Sequence, residues 1–164
     1  MKTHLSFFAV LAIATSACAQ QPIGAATAEE LAAQLAAPPA AKTRSLRIVA
    51  PAPRKLDLSI QFDYNSAKLQ ESSKPLLSNL AEAMGSERIK ELKFRVEGHT
   101  DAVGRASYNQ QLSQRRAASV LEFLAQQGVD KQRLQAEGKG STELLYPEKP
   151  EAMENRRVRI MTLE

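Results

Sequence analysis

The sequence predicts an α/β (α+β) domain, because segments with the two-residue period of a β-strand alternate along the chain with segments that have the period of an α-helix. Alternating apolar side chains, a helix with proline in its first turn and a long amphipathic helix carry this prediction. In chain order, the expected elements are a strand at 56–62, a helix at 72–85, a strand at 92–96, a helix at 107–127, a strand at 133–140 and a closing strand at 158–160.

The first three elements form one unit. Pro75 lies in the first turn of the first helix, and Gly85 supplies its stop. A strand, a helix and a second strand in succession predict a right-handed crossover with both strands parallel. Asp63 follows the first strand, and Thr100 and Asp101 follow the second. We therefore expect these residues at the same end of the sheet, where ligands commonly bind.

The second helix carries an apolar stripe and two adjacent arginines. At about 100° per residue, Arg116 and Asn109 fall on the inward half of the helix, whereas Arg115 faces solvent. An unpaired guanidinium at the edge of a core is costly. Arg116 therefore needs a carboxylate, either from the protein, such as Asp101 or Asp63, or from a ligand.

The last two predicted strands are each bordered by a short motif, one at the end of the strand at 133–140 and one before the strand at 158–160. Gly138 and Gly140 close one strand, and Arg156 and Arg157 precede the other. No G-x-G-x-x-G or Gly-Lys-Ser/Thr pattern is present, so a nucleotide site is not predicted. His99 is interpreted as a strand-end hydrogen-bonding residue, because no His/Cys cluster accompanies it. We predict neither a metal nor a cofactor.

Composition and charge narrow the function classes. The chain has 164 residues, of which 43% are hydrophobic and one is a cysteine, which excludes a disordered chain and a disulfide scaffold. The formal net charge is +4, but residues 56–164 hold 16 basic and 16 acidic side chains. A nucleic-acid binder needs a basic face on the domain itself. Nucleic acid is therefore excluded as a partner.

The amino-terminal residues predict export. Residues 1–17 have the pattern of a signal peptide, since Lys2 precedes a short apolar stretch and small residues follow it. Cys18 lies where a bacterial lipoprotein carries its lipidated first residue, and lipidation there predicts anchoring at the periplasmic face of the cell outer membrane. Ala17-Cys18-Ala19 also fits an A-x-A cut, which would leave a soluble periplasmic protein.

Residues 18–55 are expected to form a lipid-anchored, Ala/Pro-rich basic tether. Residues 38–55 hold four prolines and five basic side chains, a composition typical of an extended, solvated chain. Before them, Thr27 and Glu30 predict the capping box of a short helix. With 37 residues between Cys18 and Leu56, the tether would reach about 120 Å when extended. The domain is expected at 56–164.

Five motifs occur together and in order. They are Phe62-Asp63 with Ser66-Ala67-Lys68-Leu69, Val96-Glu97-Gly98-His99-Thr100-Asp101, Tyr108-Asn109 with Leu112-Ser113 and Arg115-Arg116-Ala117, Gly138 with Gly140, and Asn155-Arg156-Arg157-Val158. In these motifs the chain resembles the OmpA-like peptidoglycan-binding domain, over roughly Leu56 to Leu163. No β-barrel pattern precedes Leu56, so the resemblance is to a lipoprotein or free periplasmic member.

The resemblance implies a two-layer sandwich, in which a mixed sheet of about four strands has helices on one face. It also implies binding of the diaminopimelate side chain of an uncrosslinked peptidoglycan stem peptide. Carried over position by position, the resemblance implies that Asp101 takes the ammonium and Arg116 the carboxylate of that zwitterion. The resemblance also implies supporting contacts from Asn109, Asp63, Thr100 and one arginine of the Arg156-Arg157 pair, for which Arg156 is the candidate.

Together, these expectations predict that the protein is non-catalytic, binds peptidoglycan and tethers the outer membrane to the cell wall. Two alternatives stay open. One is an accessory wall-anchoring subunit of a larger envelope complex, with a protein partner recruited by the tether. The other is a small cell-wall hydrolase, for which Asp63 and Asp101 are the only carboxylates that the sequence places at one sheet edge.

Overall fold

A computed structural model describes residues 21–36 and 53–163 of the chain. The α-helices and strands in these ranges are α1 (Ala28–Leu35), β1 (Lys55–Leu58), α2 (Lys74–Gly85), β2 (Lys93–His99), α3 (Ala106–Gln126), β3 (Leu134–Gly140) and β4 (Val158–Leu163). No helix within these ranges has the length and apolar run needed to cross a bilayer. The predicted signal peptide, Cys18 and residues 37–52 of the predicted tether lie outside the described residues.

The four strands form one mixed sheet in the order β1-β4-β2-β3. β4 is antiparallel to both of its neighbours, and β2 is parallel to β3. β1 and β2 therefore run in the same direction, as the strand–helix–strand pattern predicts, but the last strand of the chain lies between them. The predicted α/β class, with about four strands in a mixed sheet and helices on one face, is confirmed.

The core lies between the helices and one face of the sheet. Phe94 and Val96 of β2 and Ile160 of β4 are fully buried there, and Leu77 of α2 and Leu124 of α3 pack from the helical side. Burying such a side chain contributes about 1.5–3 kcal/mol. This apolar layer holds α2 and α3 against the sheet and so fixes the direction in which each face of α3 points.

A pair of glycines seats α3 directly on the sheet. Gly98 of β2 lies opposite Gly138 of β3. A Cβ atom added at Gly98 would lie 2.2 Å from the carbonyl oxygen of Ser113, and one added at Gly138 would lie 2.5 Å from the backbone nitrogen of Gln114. Because both neighbours are backbone atoms, only glycine permits this close approach.

Polar side chains of α3 cover the free edge of β3. Gln114 Oε1 accepts the Gly138 N–H at 2.7 Å, Gln110 Nε2 donates to the Gly138 carbonyl at 2.6 Å, and Ser113 Oγ accepts the Gly140 N–H at 2.8 Å. An edge strand otherwise leaves these backbone groups open to pairing with another chain. The polar residues along this side of α3 therefore stabilise the sheet edge.

The amino-terminal segment differs from the predicted tether. The capping box of Thr27 and Glu30 forms as expected, but α1 packs against α2, and its Leu31 and Leu35 are 0% and 1% exposed. Ile23 also pairs with the sheet margin, donating its N–H to the Asp57 carbonyl at 2.8 Å. Burial of two leucines outweighs the solvation of this Ala-rich stretch, so residues 21–36 pack as part of the domain.

The first strand is shorter than predicted. β1 ends at Leu58, and the backbone beyond it leaves the sheet. The Gln61 N–H donates to Ser73 Oγ at 2.7 Å, and Phe62 forms an isolated bridge with Leu69. The alternation that predicts a strand to Phe62 reflects the burial of Ile60, which is 4% exposed, rather than pairing within the sheet.

Candidate binding site

A cleft of about 970 Å³ lies at the end of the sheet where β1 and β2 stop. Its walls come from the turn after β1, the turn after β2, the first half of α3 and the segment before β4. All six residues that the sequence predicts for binding line it, namely Asp63, Thr100, Asp101, Asn109, Arg116 and Arg156. The expectation that Asp63 and Asp101 lie at the same end of the sheet therefore matches the structure.

Arg116 is half-buried on α3 and lies over an aromatic ring. Its guanidinium carbon is 4.9 Å from the centroid of Phe62, and its Nε donates to the Ser66 carbonyl at 3.0 Å. Among the described residues, no carboxylate lies within 4.0 Å of its side-chain nitrogens, and its two terminal nitrogens make no hydrogen bond. Neither internal partner that the sequence offered, Asp63 or Asp101, forms an ion pair with it.

The environment of Arg116 is electrostatically unfavourable for its charge. Burial lowers the pKa of the Arg116 guanidinium, and the nearby Arg156 lowers that pKa further, whereas Tyr108 and Asp101 partly oppose the shift. A guanidinium in this position gains from any carboxylate that enters the cleft. Arg115, the next residue back, is exposed and faces away, as the helical period predicts.

Asp101 is the acidic residue of the cleft that follows β2, and a tight turn holds its side chain in place. Its Oδ1 accepts the Val103 N–H at 3.1 Å, and its Oδ2 lies 3.7 Å from Arg156 Nε. The side chain of Asp101 is 14% exposed and that of Arg156 is 44% exposed. Asp101 therefore lines the cleft with one carboxylate oxygen whose only ion-pair contact among the described residues is the long one to the half-exposed Arg156.

Thr100 and Asn109 hold this turn in place. Thr100 donates its N–H to the Gly140 carbonyl at 2.8 Å and its hydroxyl to the Asp101 carbonyl at 2.9 Å. Asn109 Nδ2 donates to the carbonyls of Asp101 and Val103, at 3.3 and 3.0 Å. Both side chains are nearly buried. Their donors are engaged within the protein, so the geometry gives them a positioning role beside Asp101.

The turn after β1 forms the other wall. The Asp63 side chain is 45% exposed, and its Oδ2 lies 3.6 Å from Lys68 Nζ. Asn65 has a positive φ of 53°, a conformation that asparagine tolerates better than most residues. Tyr108 on α3 donates its hydroxyl hydrogen to Asn65 Oδ1. This bond and the Arg116 contact with Ser66 tie the turn to α3.

The structure separates the two arginines before β4. Arg156 is exposed and lines the cleft. Arg157 is 2% exposed, and its Nε donates to Asp57 Oδ1 at 3.0 Å on the face of the sheet away from the helices. Burial lowers the pKa of the Arg157 guanidinium, and Asp57 opposes that shift. Arg157 therefore belongs to an internal ion pair with Asp57.

His99 donates its backbone N–H to the Arg157 carbonyl at 3.0 Å, but its ring does not make the hydrogen bonds expected of a strand-end histidine. The side chain is 2% exposed, and neither ring nitrogen has a hydrogen-bond partner among the described residues. Glu97 Oε2 lies 3.6 Å from Nε2. Burial lowers the pKa of His99, and Glu97 partly offsets this. No group of three His, Cys, Asp or Glu side chains within the described ranges is placed to hold a metal ion.

The cleft therefore presents both signs of charge to one ligand. Arg116 and Arg156 are its basic groups, and its acidic groups are Asp63, Asp101, Glu151 and Glu154. Such a cleft suits a ligand that carries an ammonium and a carboxylate close together. Sequence reasoning missed its apolar rim, which consists of Tyr64, Val103, Tyr108 and Met153. Turn residues such as Tyr64 and Met153 carry no periodic signal.

Comparison with known proteins gives a consistent result. The family model described as "OmpA family" matches residues 61–158. Outer membrane porin F of Pseudomonas aeruginosa is 38% identical over 89 residues, which are 54% of this chain and 25% of that protein. The chain thus spans about a quarter of the length of that relative.

Solved structures agree with the family match. The peptidoglycan-associated lipoprotein from Burkholderia pseudomallei superposes with a TM-score of 0.55 at 27% identity, covering 63% of this chain and 88% of that chain. A cell wall anchor from Pseudomonas aeruginosa superposes with a TM-score of 0.52 at 27% identity, covering 68% of this chain and 81% of that chain.

Proposed function

Because the chain belongs to the OmpA family, we propose that its domain binds peptidoglycan through the diaminopimelate end group of an uncrosslinked stem peptide. The observation that carries this proposal is the half-buried Arg116, which lines a cleft with Asp101 and has no ion-pair partner among the described residues. Likeness to a peptidoglycan-associated lipoprotein and to a cell wall anchor supports it.

The chemistry of the end group matches the two side chains. Diaminopimelate ends in an ammonium and a carboxylate on one carbon. The Arg116 guanidinium offers its two unengaged terminal nitrogens to the carboxylate as a fork, an arrangement that lysine cannot reproduce. Asp101 takes the ammonium, and Arg156 lies next to it as a second cation that the ligand's carboxylates can reach. Asn109 and Thr100 keep the Asp101 turn in position, and Asp63 lines the facing wall.

Affinity for a single stem is expected to be modest. Each charge-assisted contact contributes about 1.5–3 kcal/mol, from which the cost of association is subtracted. Useful attachment then depends on the many stems of the polymer and on confinement near it. Binding without bond cleavage is the proposed activity, so incubation with labelled peptidoglycan is expected to release no fragments. Released fragments would favour the hydrolase alternative.

Retention on insoluble peptidoglycan tests the site. Asp101→Ala and Arg116→Lys are each expected to reduce retention at least tenfold, whereas Arg115→Ala, a substitution on the exposed side of the same helix, is expected to leave it unchanged. Thermal unfolding of each variant checks that the fold is intact. Retention of Arg116→Lys at the wild-type level would refute the proposed role of the guanidinium fork.

Peptidoglycan chemistry provides an independent test. Peptidoglycan that carries lysine in place of diaminopimelate keeps the ammonium but lacks the terminal carboxylate. Wild-type protein is expected to bind it at least tenfold more weakly, because Arg116 then has no anionic partner. Equal binding of the two polymers would show that recognition lies elsewhere on the stem or the glycan.

We propose further that lipidated Cys18 anchors the protein in the outer membrane, so that wall binding tethers the membrane to the cell wall. Mass spectrometry of the mature amino terminus is expected to show an acylated cysteine, and an unmodified terminus after residue 18 would instead indicate a soluble periplasmic protein. An accessory role in a larger envelope complex is the second candidate, supported by the likeness to a cell wall anchor. Loss of a co-purifying partner on deletion of residues 37–52 would favour it.

A further inference from the structure

The exposed apolar side chains of the domain are gathered at one place. Among the described residues, the large hydrophobic side chains that are exposed are Tyr64, Met153, Val103 and Tyr108, at 100%, 69%, 57% and 36%. All four line the cleft that holds Arg116. Single exposed apolar residues are ordinary, but a group of them around one polar cleft indicates a contact surface.

Tyr64 is fully exposed although its backbone is fixed. The Asp63 N–H donates to the Lys68 carbonyl at 2.9 Å, and the Ser66 N–H donates to the Asp63 carbonyl at 3.1 Å. Arg116 and Tyr108 of α3 hold the next two residues of the turn through the bonds described above. The ring is thus presented to solvent from an ordered turn, which lowers the entropic cost of binding something against it.

The cleft is larger than the proposed zwitterion requires. Its volume of about 970 Å³ is at the upper end of the range for sites that enclose drug-sized ligands, about 300–1,000 Å³. One amino-acid end group at Arg116 and Asp101 leaves most of this space for the rest of the ligand. Tyr64 is the most exposed of the four apolar lining residues, so it is open to a part of the ligand that extends out of the cleft.

We propose that Tyr64 forms a sugar-stacking subsite at the mouth of the cleft, which takes a pyranose ring of the glycan strand while Arg116 and Asp101 hold the stem peptide. The inference rests on the proposed function and adds a second contact to it. A pyranose ring has an apolar C–H face that packs on an aromatic ring, and hydroxyls at its edge.

The residues on either side of Tyr64 suit those hydroxyls. The half-exposed carboxylate of Asp63 accepts hydrogen bonds. Asn65 Oδ1 is engaged by Tyr108, whereas Asn65 Nδ2 has no acceptor among the described residues and remains a donor toward the ligand. An aromatic face between one acceptor and one donor matches a hydroxylated ring better than it matches a purely apolar peptide segment.

Two ligands separate this contact from the charged pair. The full chain is titrated by calorimetry with a diaminopimelate-containing stem peptide, and with the same peptide attached to its N-acetylglucosamine–N-acetylmuramic acid disaccharide. Tyr64→Ala is expected to raise the Kd of the disaccharide-linked peptide about three- to tenfold and to leave the Kd of the sugar-free peptide unchanged. Tyr64→Phe, which keeps the ring, is expected to stay within about twofold of wild type for both.

The outcomes are distinguishable. An equal loss for both ligands would assign Tyr64 to the peptide, and no loss for either would remove it from the site; each result overturns the sugar-stacking proposal. Arg116→Lys is expected to weaken both ligands. If it weakens neither while Tyr64→Ala still affects only the disaccharide-linked peptide, the proposed zwitterion clamp fails and the sugar contact stands.

Discussion

The packing of α1 can be tested by removing one leucine. Leu31 is 0% exposed and belongs to the core cluster. Truncating a fully buried leucine to alanine removes its transfer free energy and leaves a cavity, which together cost about 2–5 kcal/mol. We therefore expect Leu31→Ala to lower the free energy of unfolding by about 3 kcal/mol. If this segment were a solvated tether, the cost would be within about 0.5 kcal/mol.

Equilibrium urea unfolding measures this difference. With a slope of about 1–3 kcal/mol per molar urea, a loss of that size lowers the midpoint by about 1–3 M. Gln34→Ala is the matched control, because Gln34 is exposed on the same helix and alanine is a good helix former. The reasoning is refuted if Leu31→Ala and Gln34→Ala unfold at the same midpoint.

The packing around β2 and β4 gives three more expected outcomes. Gly98→Ala is expected to destabilise the domain by about 3 kcal/mol or more in a thermal melt, because the methyl would meet the Ser113 carbonyl at 2.2 Å; an unchanged melting temperature would contradict this. Stability is expected to fall from pH 7 to pH 5, because burial lowers the pKa of His99, so the unfolded chain takes up that proton first. His99→Gln is expected to flatten this slope in urea titrations, and a slope that persists would place the titration at another group. Arg157→Ala is expected to cost about 3 kcal/mol, whereas Arg156→Ala is expected to keep the stability and weaken retention on peptidoglycan; the reverse pattern would show that the two roles are misassigned.

Local periodicity predicts much of this fold. The two-residue period of β2 and the helical period of α3 exist because each element buries one face, and those faces are visible in the sequence. The position of β4 in the strand order cannot be predicted from this pattern, because the burial of Ile160 does not indicate which strands lie beside it. Its position is set by pairing with Leu56 on one side and Val96 on the other, which are contacts between distant parts of the chain.

The packing of α1 escapes local reasoning for a different reason. Its buried face consists mainly of Leu31 and Leu35 among alanines, so the apolar stripe is one turn long. Prolines at 38 and 39 follow it directly, and together these features favour a tether. The packing of this segment depends on a groove beside α2, which becomes apparent only in the folded structure. Asn79 of α2 borders the groove and donates a hydrogen bond to the Ala26 carbonyl.

In the site too, some residue positions follow from local sequence patterns, whereas others depend on contacts between distant parts of the chain. The inward position of Arg116 follows from the phase of α3, and its need for a carboxylate follows from burial. The strand pattern also places Asp101 at the binding end of the sheet, whereas the approach of Arg156 to the same cleft is implied only by the family resemblance, because a turn brings it there. The exposure of Tyr64 depends on a turn held by α3, which no local pattern encodes.

If Cys18 carries the proposed acyl chains, the packing of residues 21–36 also sets how far from the membrane the domain can lie. Gln21 and Pro22 line the cleft, and two residues separate Gln21 from Cys18, so the two Cα atoms are at most about 10 Å apart when the chain is extended. With acyl chains on Cys18, as proposed, the docked form holds the mouth of the cleft close to the lipid surface. In that anchored form, detachment of α1 would lengthen the connection and let the domain meet glycan farther away, and Leu31→Ala, which removes part of the packing that holds α1, would favour the extended form.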